Sequence, residues 1–378
     1  MEGRKVKKSY EALIDTVRFK IIDIYIIRKF LGTFFFCLIL IMTIAVVFDF
    51  AEKIDNFMER SAPWKAVIFD YYLNFIPYFA TLFAPLFVFI SVIFFTSRMA
   101  VHTEIIAILN GGMSFRRMMW PYFISSLVIA GIIFYLTNFV IPHANLVRLD
   151  FEDKYYHSQV RRTNVENLHR AISKNTLVYL ESFNPLAGRG RNFTIETFDD
   201  SGKLVSKLSA PNVAWDTTTQ KWSVTNYYIR EIKGNNEIIT RGSKIDTTLN
   251  IRPEDFSRDA AFVGTMTYRE LNDYINLLRS QGSDELNIFL IEKYRRFSSP
   301  FAVFILSLIG VSLSARKIKG GIGMNIGIGL ALSFSYILFM QFSSQFSLKG
   351  DLGPMLAMWI PNILYFIIAL FLYRMAPK

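Results

Sequence analysis

At 378 residues with 52% hydrophobic and 16% aromatic content, the chain is too apolar for an ordinary soluble protein. Its net charge of +11 does not point to nucleic acid: residues 148–296 carry 22 basic and 20 acidic side chains, and the excess flanks apolar stretches. With Cys37 as the single cysteine, no disulfide within the chain can brace its polar part.

Residues 1–29 are charged throughout and lack the apolar centre of a cleavable signal. Within them, 10–29 predict an amphipathic helix, with Leu13, Ile14, Val17, Ile21, Ile24 and Ile27 set against Lys20, Asp23, Arg28 and Lys29. Arg4, Lys5, Lys7 and Lys8 fit either contact with anionic headgroups or a plain topology signal. Six stretches then lack any Lys, Arg, Asp or Glu: 30–48, 71–97, 118–147, 297–315, 320–348 and 352–373. Each is long enough to cross a hydrocarbon core of about 30 Å as a helix. Pro77 and Pro85 predict kinks in the second. Gly323 and Gly327 give the fifth a face that another helix can approach closely, inside this chain or as a moving contact.

Alternate polar segments carry the whole excess of positive charge. Residues 1–29, 98–117, 316–319 and 374–378 sum to +4, +2, +3 and +2, whereas 49–70, 148–296 and 349–351 sum to −2, +2 and 0. Lys and Arg are retained in the cytoplasm. The expectation is therefore a multi-pass membrane protein of three plus three helices, with both termini cytoplasmic and residues 148–296 outside.

Inside that outer segment the period changes to that of strands. Thr176–Glu181, Asn192–Phe198, Leu204–Leu208, Asn212–Trp215, Lys221–Ile232 and Glu237–Arg241 are β-prone, separated by turn signals such as Asn184-Pro185 and Asp200-Ser201-Gly202. Trp222, Val224 and Tyr228 alternate with Ser223, Thr225 and Tyr227, predicting one apolar face. An all-β domain of jelly-roll type over 148–265 follows. Tyr179, Phe193, Ile195 and Trp215 join Trp222, Val224 and Tyr228 as its candidate interior, which is either plain core or a groove for acyl chains. Thr267 and Glu270 have capping-box spacing, so 266–296 predict a helical connector leading back to the membrane helices of 297–378.

The chemistry that is missing narrows function further. There is no P-loop, no nucleophile elbow, and no metal-ligand spacing around His102, His143, His157 or His169. The six spans hold no Asp, Glu, Lys or Arg, so ion-coupled transport lacks its usual relay. Movement of a substrate would need a partner to supply energy. The short inner segment 98–117 is where that drive could enter: Glu104, Ile105, Ile106, Ile108 and Leu109 form one apolar turn with a single acid, capped by Thr103 and ended by Gly111-Gly112. Such a turn suits either a groove on another protein or the lipid surface.

The loop resembles the E-x-x-A-x-x-x-x-G element of the lipopolysaccharide export permeases LptF and LptG, with Glu104, Ala107 and Gly112 at the matching positions. Asp23-Ile24-Tyr25 through Phe48-Asp49-Phe50, Glu270-Leu271 with Tyr274-Ile275, and Gly327-Ile328-Gly329 through Gln341-Phe342, Gly353-Pro354 and Pro361 are similar to the family too, the last closer to LptG. The resemblance implies a non-enzymatic permease subunit that binds no cofactor itself. It would work with a cytoplasmic ABC ATPase dimer (LptB-like) holding ATP and Mg, a second LptF/LptG-type permease, and LptC-like and LptA-like periplasmic jelly-roll proteins. It assigns ATPase coupling to Glu104, Ile105, Ile108, Leu109 and Gly112. A lateral gate for lipopolysaccharide would be formed by Phe34, Leu38, Ile41 and Ala45 on the first span with Gly323 and Gly327 on the fifth. In the family, lysines near the outer end of the first helix meet the lipid's phosphates; here Asp49, Glu52 and Asp55 surround Lys53, which remains as the possible phosphate contact. A permease for another lipid or lipoprotein is the alternative.

Overall fold

A computed structural model describes residues 20–156, 165–173, 175–184, 187–217, 219–234, 236–249, 260–281, 285–315 and 321–376. Expectations for Arg4 to Val17, His157, Pro185 and the 316–319 segment lie outside them. Six described helices are long and apolar enough to cross a membrane. They are α1 (Ile21–Glu59), α2 (Trp64–Val101), α4 (Phe115–Tyr155), α6 (Leu286–Ser314), α7 (Gly321–Leu348) and α8 (Pro354–Met375). The short α3 (Glu104–Asn110) joins α2 to α4, and α5 (Tyr268–Gln281) precedes α6. The residues from Ile21 belong to α1 itself.

The chain divides into two compact units. The first comprises residues through Glu52, Leu73–Ile141 and Lys293 onward. Its core packs Phe30, Phe34, Phe95 and Tyr122 of α1, α2 and α4, with Phe30–Phe95 and Phe95–Tyr122 ring centroids 5.7 and 5.4 Å apart. A second cluster joins Phe89 and Ile93 to Ile305, Tyr336 and Tyr365 of α6, α7 and α8. Helices in lipid are glued by small polar side chains, because an unpaired polar group there has no water to turn to. Accordingly Ser126 donates to Ser307 at 2.8 Å, Asn325 to Ser97 at 2.9 Å, and Tyr336 to Asn362 at 2.9 Å. The second helix runs without a break through Pro77 and Pro85.

The second unit comprises Lys53–Tyr72 and Pro142–Glu292. Six described strands form one antiparallel sheet in sequential order, not closed into a barrel among the described residues: β1 (Val165–Ser173), β2 (Thr176–Asn184), β3 (Arg189–Phe198), β4 (Leu204–Asp216), β5 (Lys221–Lys233) and β6 (Asn236–Thr247). The two β-prone runs 204–208 and 212–215 are one strand. Asp199 builds the β3–β4 turn by accepting from the backbone N–H groups of Ser201 and Lys203, with Gly202 at φ +79°. Gly234, at φ +64°, does the equivalent service between β5 and β6.

A crease crosses this sheet. The buried positions run Leu180 to Phe183, Gly190 to Phe193, and Ala210 to Val213, three residues apart instead of two. Between them Glu181, Asn192, Pro211, Asn226 and Ser243 stand opposite one another without ladder pairing. Asn192 and Asn226 hold positive φ of 49° and 55°, and Pro211 has no N–H to give. Each strand takes one extra residue at the same place, so register survives while the faces exchange.

α5 opens on a reciprocal cap: Glu270 accepts from the Thr267 N–H at 2.8 Å and its hydroxyl at 2.9 Å. Those bonds, the backbone one first, hold the Glu270 carboxyl below the ordinary carboxylate range. A depressed value stabilises the folded form above the unfolded pKa of about 4.3 and loses that contribution as pH falls through the folded value. Protection of the amides at the start of α5, measured against the unstructured-chain exchange rate at the same pH, should therefore hold at neutral pH and fall below about pH 4; Glu270→Gln should remove most of that pH response.

Candidate functional site

The loop between α2 and α4 is clasped to α1 at both of its ends. Asp23 accepts the Lys20 N–H at 2.8 Å, as the third helical residue reaching back to the helix start does in a capping box. Its two oxygens also take the Arg117 guanidinium in a fork, at 2.7 and 2.5 Å, and Asp23 is fully buried. Arg117 lies in the first turn of α4, where the helix dipole disfavours a cation; Asp23 offsets that. Two residues further on, the Tyr25 hydroxyl donates to Glu104 Oε2 at 2.9 Å. One helical turn of α1 thus holds the loop at Glu104, where α3 begins, and at Arg117, where α4 begins.

Thr103 does not cap α3 with its side chain. It adopts φ 61°, a costly region for a β-branched residue, and its hydroxyl bonds the His102 carbonyl at 2.6 Å. Gly111 and Gly112 end α3 as expected, Gly112 at φ +87°. Of the expected coupling residues, Ile105 is buried in the first unit's core and Ile108 and Leu109 pack partly against it. The surface that α3 offers outward is Ile106 with Ala107, beside half-buried Glu104 and exposed Gly112.

The expected gate residues fall into two groups. Phe34 is buried against the chain's own helices, and Leu38 and Ile41 pack partly on the same core, with Ala45 half-buried. The outward stripe of α1 is instead Phe36, Ile39, Leu40, Ile44, Val47 and Phe48. The helix turns by about 100° per residue, so the core-facing and outward stripes differ by only one or two positions. Gly323 and Gly327 are exposed, with nothing within 4 Å of where a side chain would begin; it is Gly329 that packs, against Ile93 and Phe89.

Phe193, Trp222 and Val224 are sealed in the β-domain core with Val178, Leu180 and Phe183, and Ile195 and Trp215 pack against it. Tyr179 and Tyr228 do not belong to that interior. Tyr179 alternates with buried Val178 and Leu180 and lays its ring on His169, centroids 4.6 Å apart. Tyr228 is 45% exposed because the crease at Asn226 puts Tyr227 inward, where its ring covers Gly242. Lys53 is occupied: its ammonium contacts the Tyr71 hydroxyl and lies 4.8 and 4.9 Å from the ring centroids of Tyr71 and Tyr156. A cation so caged is held by its own unit.

A family model described as lipopolysaccharide export system permease LptF/LptG matches residues 24–375. The chain belongs to that family. The permease is thus a membrane component of lipopolysaccharide export rather than an enzyme. Nothing among curated proteins matches it. The clasp at Asp23 and Arg117 was not foreseen from sequence; the available signal was an uncompensated acid in an apolar helix start and a cation where a helix begins.

Proposed function

We propose that this permease converts ATP-driven motion beneath the membrane into export of lipopolysaccharide from the outer leaflet of the inner membrane. The observation that carries it is the double clasp of the inner loop on α1. A partner ABC ATPase of LptB type, holding ATP and Mg, would push on α3 at Glu104, Ile106 and Ala107. Because α1 is bonded to both ends of that loop, the push reaches the helix whose outward stripe would face a second LptF/LptG-type permease. The open Gly323–Gly327 face of α7 would form the other half of each gate. Lipid would then pass to the β-domain, on the periplasmic side, and on to LptC-like and LptA-like proteins; both termini would be cytoplasmic.

Charge reversal at Glu104 tests this. In Glu104→Arg, co-purification of the ATPase should fall by roughly tenfold or more, the scale of a single lost charged contact, while membrane insertion is unchanged. Normal ATPase association and export in that variant would remove the coupling role. One observation favours another lipid or lipoprotein as substrate: caged Lys53, among acids, is not free for a phosphate. Mass spectrometry of lipid retained on gently purified protein separates the two readings.

A further inference from the structure

The outer face of the β-sheet carries a polar hollow beside the crease. It encloses about 660 Å³ and is lined by Ser182, Asn184, Arg189, Arg191, Asn212 and Thr225, with backbone and small side chains beneath. Register explains the set. Ser182, Arg191, Asn212 and Thr225 are consecutive cross-strand partners on β2, β3, β4 and β5. Arg189, two residues from Arg191, shares its face and stands opposite Asn184 and Ala214. Two residues of strand place the two arginine Cα atoms roughly 7 Å apart, on the same side. The row is therefore a ribbon of hydroxyls and amides with two forks of N–H donors at its centre.

Among the described residues no carboxylate lines the hollow. The acids nearest in register are engaged: Asn192 donates to Glu181, and the Thr219 hydroxyl donates to Asp216 at 2.8 Å. Among the described residues neither arginine side chain has an ion pair or hydrogen-bond partner. The opposite face is sealed apolar core, so this face has no packing duty that would call for arginine. Paired guanidinium groups recognise planar or tetrahedral oxyanions bidentately, and flanking Ser, Thr and Asn suit sugar hydroxyls.

We infer that this hollow binds an anionic saccharide, a sugar bearing phosphate or carboxylate, on the outside of the β-domain. It rests on the export reading only for the source of that sugar, the headgroup of a glycolipid in transit as opposed to a free sugar phosphate. Acyl chains and sugar would then be handled on opposite faces of one sheet.

The test is calorimetric titration of the full chain in nanodiscs with glucose 6-phosphate, glucose, inorganic phosphate and detergent-dispersed phosphorylated glycolipid. Glucose 6-phosphate should bind, with glucose at least tenfold weaker. Arg189→Gln/Arg191→Gln should weaken binding tenfold or more, and Arg191→Lys less, because lysine keeps the charge and loses the fork. Unchanged amide exchange in β3 and β4 will show that the double variant is folded. Equal binding of glucose, or of glucose 6-phosphate by the double variant, overturns the proposal. Inorganic phosphate binding as tightly as the sugar phosphate would overturn the saccharide part of it. Glycolipid tighter than free sugar phosphate identifies the headgroup as the source, and the reverse overturns that assignment. No ATPase or export enters this measurement, so its failure leaves the export reading standing.

Discussion

Replacing Asp23 by Asn should destabilise the membrane unit by about 3 kcal/mol or more, since breaking a buried pair leaves its partner's charge uncompensated. The Asp23 side chain is 1% exposed and that of Arg117 13%, so little water can reach the orphaned guanidinium. Among the described residues Arg117 Nε has no partner, which leaves Asp23 as the acceptor that makes this position tolerable. Removing both charges, in Asp23→Asn/Arg117→Gln, should recover part of the loss, because the desolvation of both ions is removed together with their attraction. Thermal unfolding in detergent, read as a double-mutant cycle, gives the coupling energy directly. Tyr25→Phe should cost far less, near 1 kcal/mol, since its hydroxyl is exposed and the bond to Glu104 competes with water. The functional readout should separate the two sites in the other direction. Tyr25→Phe loosens the end of the loop where the ATPase would push, so substrate-stimulated ATPase activity should drop with stability nearly intact. Should Asp23→Asn melt like the parent protein, the clasp is not a structural element and the transmission route through α1 fails with it.

The membrane helices were legible because the bilayer imposes a rule on every position at once: some twenty residues without a charge are needed, and these stretches supply them. The sheet was legible in part. Strands β2 to β6 are rich in Val, Ile, Thr and aromatic residues, whereas β1 carries Glu166, Asn167, His169 and Arg170, too polar a local signal to stand out from a loop. Its pairing to β2 is decided by the partner strand. The crease was written in Pro211, Asn192 and Asn226, each a poor strand residue, but only their alignment across neighbouring strands turns three local irregularities into one line. Alternation read straight through it put Tyr228 on the wrong face. Residues 49–70 read as a charged segment between two spans in sequence. They fold as helix ends because Phe57, Tyr71 and Phe151 meet with ring centroids 5.3 to 5.7 Å apart, contacts between distant positions that no window of sequence contains. The surroundings of Lys53 are hidden from sequence for the same reason: Tyr156 is distant in sequence and adjacent in space.

Trp222→Ala should be the most damaging single change in the β-domain, at about 3–5 kcal/mol, the usual range for emptying a buried aromatic site. Trp222 is 1% exposed and its ring meets Phe183 and Trp215 with centroids 5.7 and 5.1 Å away. It pairs across to Trp215 on β4 and to Thr247 on β6, so three strands lose their common filler. Hydrogen exchange in the full chain is the measurement: amides of β4 and β5 should lose protection by roughly two to three and a half orders of magnitude, as this range requires, while those of α6 and α7 keep theirs. Tyr228→Ala, on the exposed face, should leave exchange within a few-fold of the parent protein. The same contrast bears on how lipid could use this domain. Val224 and Phe193 are as sealed as Trp222, so an acyl chain can enter only by displacing core residues, and a photo-crosslinker at Val224 should label lipid only when the exporter is turning over. Labelling in the resting chain, without ATPase or nucleotide, would mean that the sheet opens spontaneously, and the large penalty expected for Trp222→Ala would then be measured as a small one.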